Sequence, residues 1–111
     1  MIGEEPSLTK ATTAQIDTKQ INWASFFKDQ RRTATIFLKN TGDYPLVILD
    51  TSTTCGCTVT RYDPHPAAPS DSLKIQVTYT PKDTGYFEEW ITIRCNTTPP
   101  TFRVSVKGNV L

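Results

Sequence analysis

Long apolar runs are missing from this chain of 111 residues. Nowhere do the roughly eighteen successive apolar residues of a bilayer-crossing helix occur, so no transmembrane segment is expected. The opening MIGEEPSLTK is polar and lacks the basic and apolar regions of a signal peptide, which leaves either a cytosolic protein or one met after processing. Charge of one sign is also scarce: 12 Lys and Arg are interspersed with 11 Asp and Glu. No basic stripe can follow a phosphate backbone, and nucleic acid is not an expected partner. No stretch keeps a useful helical period, and neither a phosphate-binding glycine loop nor a nucleophile-elbow serine is present. Histidine occurs once, at His65, and cysteine three times, an odd number that leaves at least one thiol unpaired within a monomer.

What remains is alternation. The length suits one domain with a two-layer core that needs no metal or set of disulfides to hold it. Residues 1–13 are polar and aperiodic and read as a flexible tail, with the folded domain expected over residues 14–111. AQIDTKQINWASFF offers Ile16, Ile21, Trp23 and Phe26, enough for one or two short edge strands. In RRTATIFLKN, Ala34, Ile36 and Leu38 share one face; in SLKIQVTYTP, Leu73, Ile75, Val77 and Tyr79 do. YFEEWITIRCN turns Phe87, Ile91, Ile93 and Cys95 inward and Glu88, Trp90, Thr92 and Arg94 outward, and TFRVSVKGNV sends Phe102, Val104 and Val106 inward. LVILDTSTT is a β-branched run ending at the cysteines, whereas RYDPHPAAPSD carries prolines that mark a loop. Turns at NTGDYP, PKDTG and TTPP separate the segments. About seven strands in such a length predict an all-β, immunoglobulin-like sandwich of two antiparallel sheets.

The stretches NTGDYPLVILDTSTTCGCT, IQVTYTP with TGYFEEWITIRCN, and VSVKGNV resemble a bacterial family of unknown function with an immunoglobulin-like fold and a Cys-Gly-Cys-Thr signature. The anchors of the resemblance are Asn40, Gly42, Pro45 and Leu46, then Cys55, Gly56, Cys57 and Thr58, then Gly85 and Phe87, Asn96, and Gly108 with Val110. More distantly it is similar to immunoglobulin-like modules of ciliary and centrosomal proteins and to the pilus-chaperone sandwich. The resemblance implies an exported protein, periplasmic, anchored to the outer membrane as a lipoprotein, or secreted. It also implies a protein or cell-envelope component as partner, and it names no cofactor. Two positions depart from it: Pro69-Ser70-Asp71 replaces a Pro-Gly turn, and Cys95 replaces a commoner serine.

Three readings compete for Cys55 and Cys57. Structural, unreactive thiols at a strand end are the default. A disulfide or redox pair is the second: two residues of extended strand span about 6.6 Å, close to the limit of about 7 Å between bridged Cα atoms, and Gly56 supplies a bend. Such a small ring would be easily reduced, as a redox-active bond is. A metal is the third, Cu(I) suiting two thiolates better than zinc, for which His65 adds a single further ligand. In the sandwich topology LVILDTSTT and YFEEWITIRCN are antiparallel neighbours, so Cys55 and Cys95 should lie at opposite ends, on the order of 20–30 Å apart. Cys95 is therefore expected to be a free, buried, hydrophobic cysteine.

Elsewhere the signals are plainer. Glu88 and Glu89 are adjacent on a strand and point to opposite faces, so they cannot serve one catalytic site. His65 reads as an exposed loop residue. Tyr86, Trp90 and Arg94 form an outward stripe, either covered by the N-terminal segment or a neighbouring strand's side chains, the favoured reading, or open for docking or carbohydrate stacking. The leading expectation is a non-enzymatic structural or interaction module; the alternative is a thiol redox or Cu(I)-binding protein working through Cys55 and Cys57.

Overall fold

A computed structural model describes residues 10–111. Eight strands, and no helix among the described residues, make up the chain: β1 Ala14–Ile16, β2 Gln20–Phe26, β3 Arg32–Asn40, β4 Ile48–Thr53, β5 Thr58–Tyr62, β6 Ser72–Tyr79, β7 Gly85–Cys95 and β8 Thr101–Val110. They form two four-stranded sheets in the orders β1-β3-β6-β5 and β2-β8-β7-β4. This is the immunoglobulin-like arrangement, with the N-terminal segment divided between the sheets: β1 pairs antiparallel with β3, and β2 runs parallel to β8. β2 bulges between Asn22 and Ser25, where Ala24 takes a φ of 57° and donates its backbone N–H to Asn22 Oδ1.

The alternation read in the sequence is the alternation of the core. Ile36 and Leu38 from β3, Ile75 and Val77 from β6, Ile91 and Ile93 from β7, and Val104 and Val106 from β8 are fully buried between the sheets. Each contributes about 1.5–3 kcal/mol of apolar burial. At one end of the sandwich Trp23, Phe26, Tyr79 and Phe87 pack together, with the Tyr79 and Phe87 rings stacked at 4.0 Å between centroids. Gly108 makes room for them, since a Cβ there would lie 3.0 Å from Phe26 Cε1 and 3.1 Å from Phe87 Cε1. Gly85, which begins β7, has a φ of +116°, a conformation that a side chain would strain.

Two features differ from the sequence expectation. The count is eight strands rather than about seven, because Arg61 and Tyr62, grouped with the proline-rich loop, instead finish β5 against β6. The loop proper begins after them and is tied back by a bridge between Leu46 and Ala67. The expected tail over residues 1–13 lies partly outside the described residues, but its last part is held in place. Thr12 is buried, donates its N–H to Asn96 O and its hydroxyl to Asn40 Oδ1, and accepts at its carbonyl from Thr98 N–H. A polar residue can be buried here because every hydrogen-bonding group named finds a partner.

Candidate functional site

β4 and β5 are the edge strands of different sheets on the same side of the sandwich, and Thr51 and Thr60 join them through a hydroxyl–hydroxyl hydrogen bond of 2.6 Å. The chain passes between them through Thr54-Cys55-Gly56-Cys57. Here Thr58 N–H donates to Cys55 O at 3.1 Å and Thr53 Oγ1 to the same carbonyl at 3.0 Å, so the strand end folds into a tight turn. That turn brings the Cys55 and Cys57 Cα atoms to 5.3 Å, and the two sulfurs are bonded to each other. The default expectation of free strand-end thiols is thereby corrected. The extended-chain spacing of about 6.6 Å overstated the separation because the backbone turns at Gly56. A hypothetical Cβ on Gly56 would meet no atom within 4 Å, so the outside of the turn is open.

The two hydrogen bonds to Cys55 O and a third from the end of β6 hold this corner independently of the sulfur–sulfur link. Thr80 N–H donates to Cys57 O at 3.0 Å, tying the corner to the end of β6. Cys57 N–H points at Cys55 Sγ, 3.2 Å away. Cys57 is buried at 9% exposure, whereas Cys55 is half-buried against the core. A link between residues two apart closes so small a loop that its entropic contribution is about 1.5 kcal/mol.

Cys95 sits at the other end of the molecule. It pairs with Ile48 at the start of β4, while Thr53, next to the disulfide turn, pairs with Ile91. It is the free cysteine, and burial pushes its thiol up to about 12. The separation of Cys95 from the Cys55–Cys57 pair follows the topology inferred from the sequence. His65 is exposed in its loop, where its Nδ1 lies 2.9 Å from Asp63 Oδ1, and hydrogen bonds from His65 hold the Asp63 carboxyl below the usual carboxylate range. Among the described residues no cluster of three or more His, Cys, Asp or Glu is placed to hold a metal.

On the outer face of β7, Trp90 is 36% exposed and carries the Arg103 guanidinium of β8 at 4.5 Å from its ring centroid. Arg94 pairs with Asp50 of β4, with Nε 3.1 Å from Oδ2, and this contact holds the Asp50 carboxyl below its ordinary value. Neighbouring strands therefore provide contacts to two members of the stripe. Tyr86 remains 68% exposed.

Of the remaining signature positions, Gly85 and Gly108 lie at the disulfide's end of β7 and β8, and Asn40, Gly42, Pro45 and Asn96 gather at the opposite pole. Asn40 is 1% exposed; its Nδ2 donates to Tyr44 O and Ala67 O, and its Oδ1 accepts from Thr12 Oγ1 and Gly42 N–H. Asn96 accepts from Val47 N–H and donates to Pro45 O, clasping the same loop from β7's end. Gly42 lies against the N-terminal segment so closely that a Cβ there would fall 2.2 Å from Thr12 Oγ1 and 2.7 Å from Thr13 N. Gly42→Ala is therefore expected to displace the Thr12 segment and cost about 1–3 kcal/mol of overpacking, read from the urea midpoint. An unchanged midpoint would show that this segment is not packed on Gly42. The burial of Thr12 was not legible in the sequence; the paired asparagines flanking turns were its nearest signal.

A further edge is left open. β1 pairs only with Leu38–Asn40 of β3, and Asp17 extends the contact by one residue, its N–H donating to Phe37 O and its carboxylate accepting from Phe37 N–H. From Arg32 to Ile36 no described strand lies on that side of β3. Backbone groups alternate in direction along a strand, so Thr33 and Thr35, in phase with Phe37, present theirs outward.

A model for a family described as "Protein of unknown function (DUF1573)" matches residues 14–110. No curated protein matches the chain. Among solved structures, a protein of unknown function from Porphyromonas gingivalis W83 superposes with a TM-score of 0.80 at 18% identity, covering 92% of this chain and 48% of its own. The chain thus spans about half the length of that protein. The ASH / PapD-like domain of human CEP192 has a TM-score of 0.66 at 16% identity over 98% of this chain and 90% of its own. The YadV chaperone has a TM-score of 0.55 at 18% identity over 87% of this chain and 50% of its own. At these identities the likeness is one of fold.

Proposed function

The chain belongs to the protein family of unknown function DUF1573, and from that premise we propose that it is a non-enzymatic structural or interaction module of an exported bacterial protein. Its partner is a protein of the cell envelope, bound by strand addition at β3. The single observation that carries this reading is the open edge from Arg32 to Ile36, where outward backbone donors and acceptors await an extended segment. Main-chain pairing would supply affinity, and the exposed side chains of Thr33, Thr35 and Phe37 would meet the incoming strand's alternate residues. The intramolecular disulfide supports export to the periplasm, outer membrane or exterior, since such bonds persist in oxidising compartments. The non-enzymatic reading draws on the placement of the titratable groups: Glu88 is exposed on one face of β7 while Glu89 turns to the other, and the exposed His65 ring partners its loop neighbour Asp63.

Site-specific photo-crosslinking in intact cells tests it. A crosslinker at Thr35 is expected to capture one discrete envelope protein, and one at Asn109, exposed on β8 of the other sheet, is not. Thr33→Pro, which deletes an outward N–H while sparing the β6 ladder, should lower the Thr35 yield about tenfold or more. Equal capture from Thr35 and Asn109, or none from Thr35, would refute edge binding.

A further inference from the structure

We infer that the Cys55–Cys57 disulfide is a site of thiol–disulfide exchange that takes a dithiol as substrate and forms its mixed disulfide through Cys55. The exchange is stoichiometric, one dithiol oxidised for each Cys55–Cys57 bond reduced, so it leaves the non-enzymatic module reading in place, and it is separate from edge binding at β3 and does not depend on it. The inference begins with what the bond does not do. It joins residues two apart, so it constrains little of the unfolded chain. The corner around it is already closed by the hydrogen bonds from Thr58 N–H and Thr53 Oγ1 to Cys55 O and from Thr80 N–H to Cys57 O. A disulfide that can open without releasing the strands it sits between is suited to reversible chemistry rather than to stapling.

Access then distinguishes the two sulfurs. Cys57 is buried, Cys55 is half-buried, and the outer side of Gly56 is unobstructed. An incoming thiolate therefore attacks Cys55 Sγ: a new sulfur–sulfur bond forms to Cys55, the Cys55–Cys57 bond breaks, and Cys57 leaves as a thiolate that takes up a proton. The second thiol of the substrate attacks its own sulfur in the mixed disulfide and expels Cys55. The substrate loses two electrons and two protons and becomes a disulfide, and Cys55 and Cys57 become thiols. In the reverse direction Cys55 is the nucleophile and Cys57 the resolving thiol. The Cys57 N–H, 3.2 Å from Cys55 Sγ, is placed to stabilise the Cys55 thiolate in that direction.

The third cysteine does not interfere. Cys95 is buried at the far end of β7, 2% exposed, and its thiol stays protonated at neutral pH, so exchange cannot pass to it within the folded monomer.

Dithiothreitol and glutathione disulfide are the probes. The full chain, treated with dithiothreitol without denaturant and then alkylated, should gain two labels at Cys55 and Cys57 while its circular dichroism stays that of the oxidised form and its urea midpoint falls by about 1 M or less. Reduced Cys57→Ser should form a mixed disulfide with glutathione at least about tenfold faster than reduced Cys55→Ser, by virtue of the greater exposure of Cys55. Reduction that proceeds only with global unfolding would overturn the proposal. So would equal trapping rates in the two variants, or trapping through Cys57. If either variant failed to fold, the reduction of the unmodified chain would decide, because it needs no substitution.

Discussion

Asn40→Ala is expected to destabilise the domain by about 3–4 kcal/mol, far beyond what the small change in volume would suggest. The side chain is 1% exposed and uses both ends, with two donations from Nδ2 and two acceptances at Oδ1. Removing it leaves the carbonyls of Tyr44 and Ala67, the Thr12 hydroxyl and the Gly42 N–H without these partners, and a polar group stranded on burial costs about 1–3 kcal/mol. The Ala67 carbonyl keeps its bond from Leu46 N–H and Tyr44 is exposed, which brings the total down from its upper bound. Asn40→Asp retains an acceptor but loses the donors and places a charge in a buried site, so it should be at least as damaging near neutral pH. Equilibrium urea unfolding of both variants measures this. A loss under about 1 kcal/mol for Asn40→Ala would mean that the pole is held by something other than this side chain.

The second large effect is an alkaline weakening that originates in Cys95. Burial raises its thiol from 9.0 to about 12 in the folded protein. Below about pH 9 both folded and unfolded chains keep the proton and the group contributes no pH dependence. Between pH 9 and 12 the unfolded chain releases it while the folded chain holds it, so folded molecules bind more protons and stability falls as pH rises, by up to about 1.4 kcal/mol per unit. Over the whole interval this is about 4 kcal/mol. Tyr79, also raised chiefly by burial, adds a fall of the same sign above its ordinary value of 10.0. The comparison that isolates Cys95 is the difference in unfolding free energy between the native chain and Cys95→Ala at pH 8 and pH 10.5. The native chain should lose about 2 kcal/mol more than the variant over that interval, on average about 0.8 kcal/mol per unit, and parallel slopes would place the thiol in contact with water.

How much of this was legible depends on the kind of interaction. β6 and β7 stand out because apolar and polar residues alternate along Leu73, Ile75, Val77 and Tyr79 and along Phe87, Ile91, Ile93 and Cys95, and a period of two is a local property of the chain. Pairing of Cys95 with Ile48 followed from the topology those strands imply. β5 was partly lost because Arg61 and Tyr62 adjoin prolines and have no alternation of their own; only the ladder to Gln76 and Ile75 makes them a strand. The parallel partnership of β2 with β8 joins residues more than eighty apart in the chain and leaves no local trace. Thr12 illustrates the same limit, since its burial rests on Asn40 and Asn96, both distant in the chain.

The cysteine corner lies between these cases. Spacing brought Cys55 and Cys57 within range of a bond but also left free thiols and a metal clamp open, and the deciding feature was the turn made by Thr58 N–H onto Cys55 O. On that turn rests the view of this corner as a closed, reducible link on an immunoglobulin-like sandwich. The measurement that tests it most directly is alkylation of the denatured protein without reductant, followed by peptide mass spectrometry. One alkylated residue, Cys95, with Cys55 and Cys57 together lacking two hydrogens, is the predicted result. Three alkylated cysteines in protein purified under oxidising conditions would contradict it.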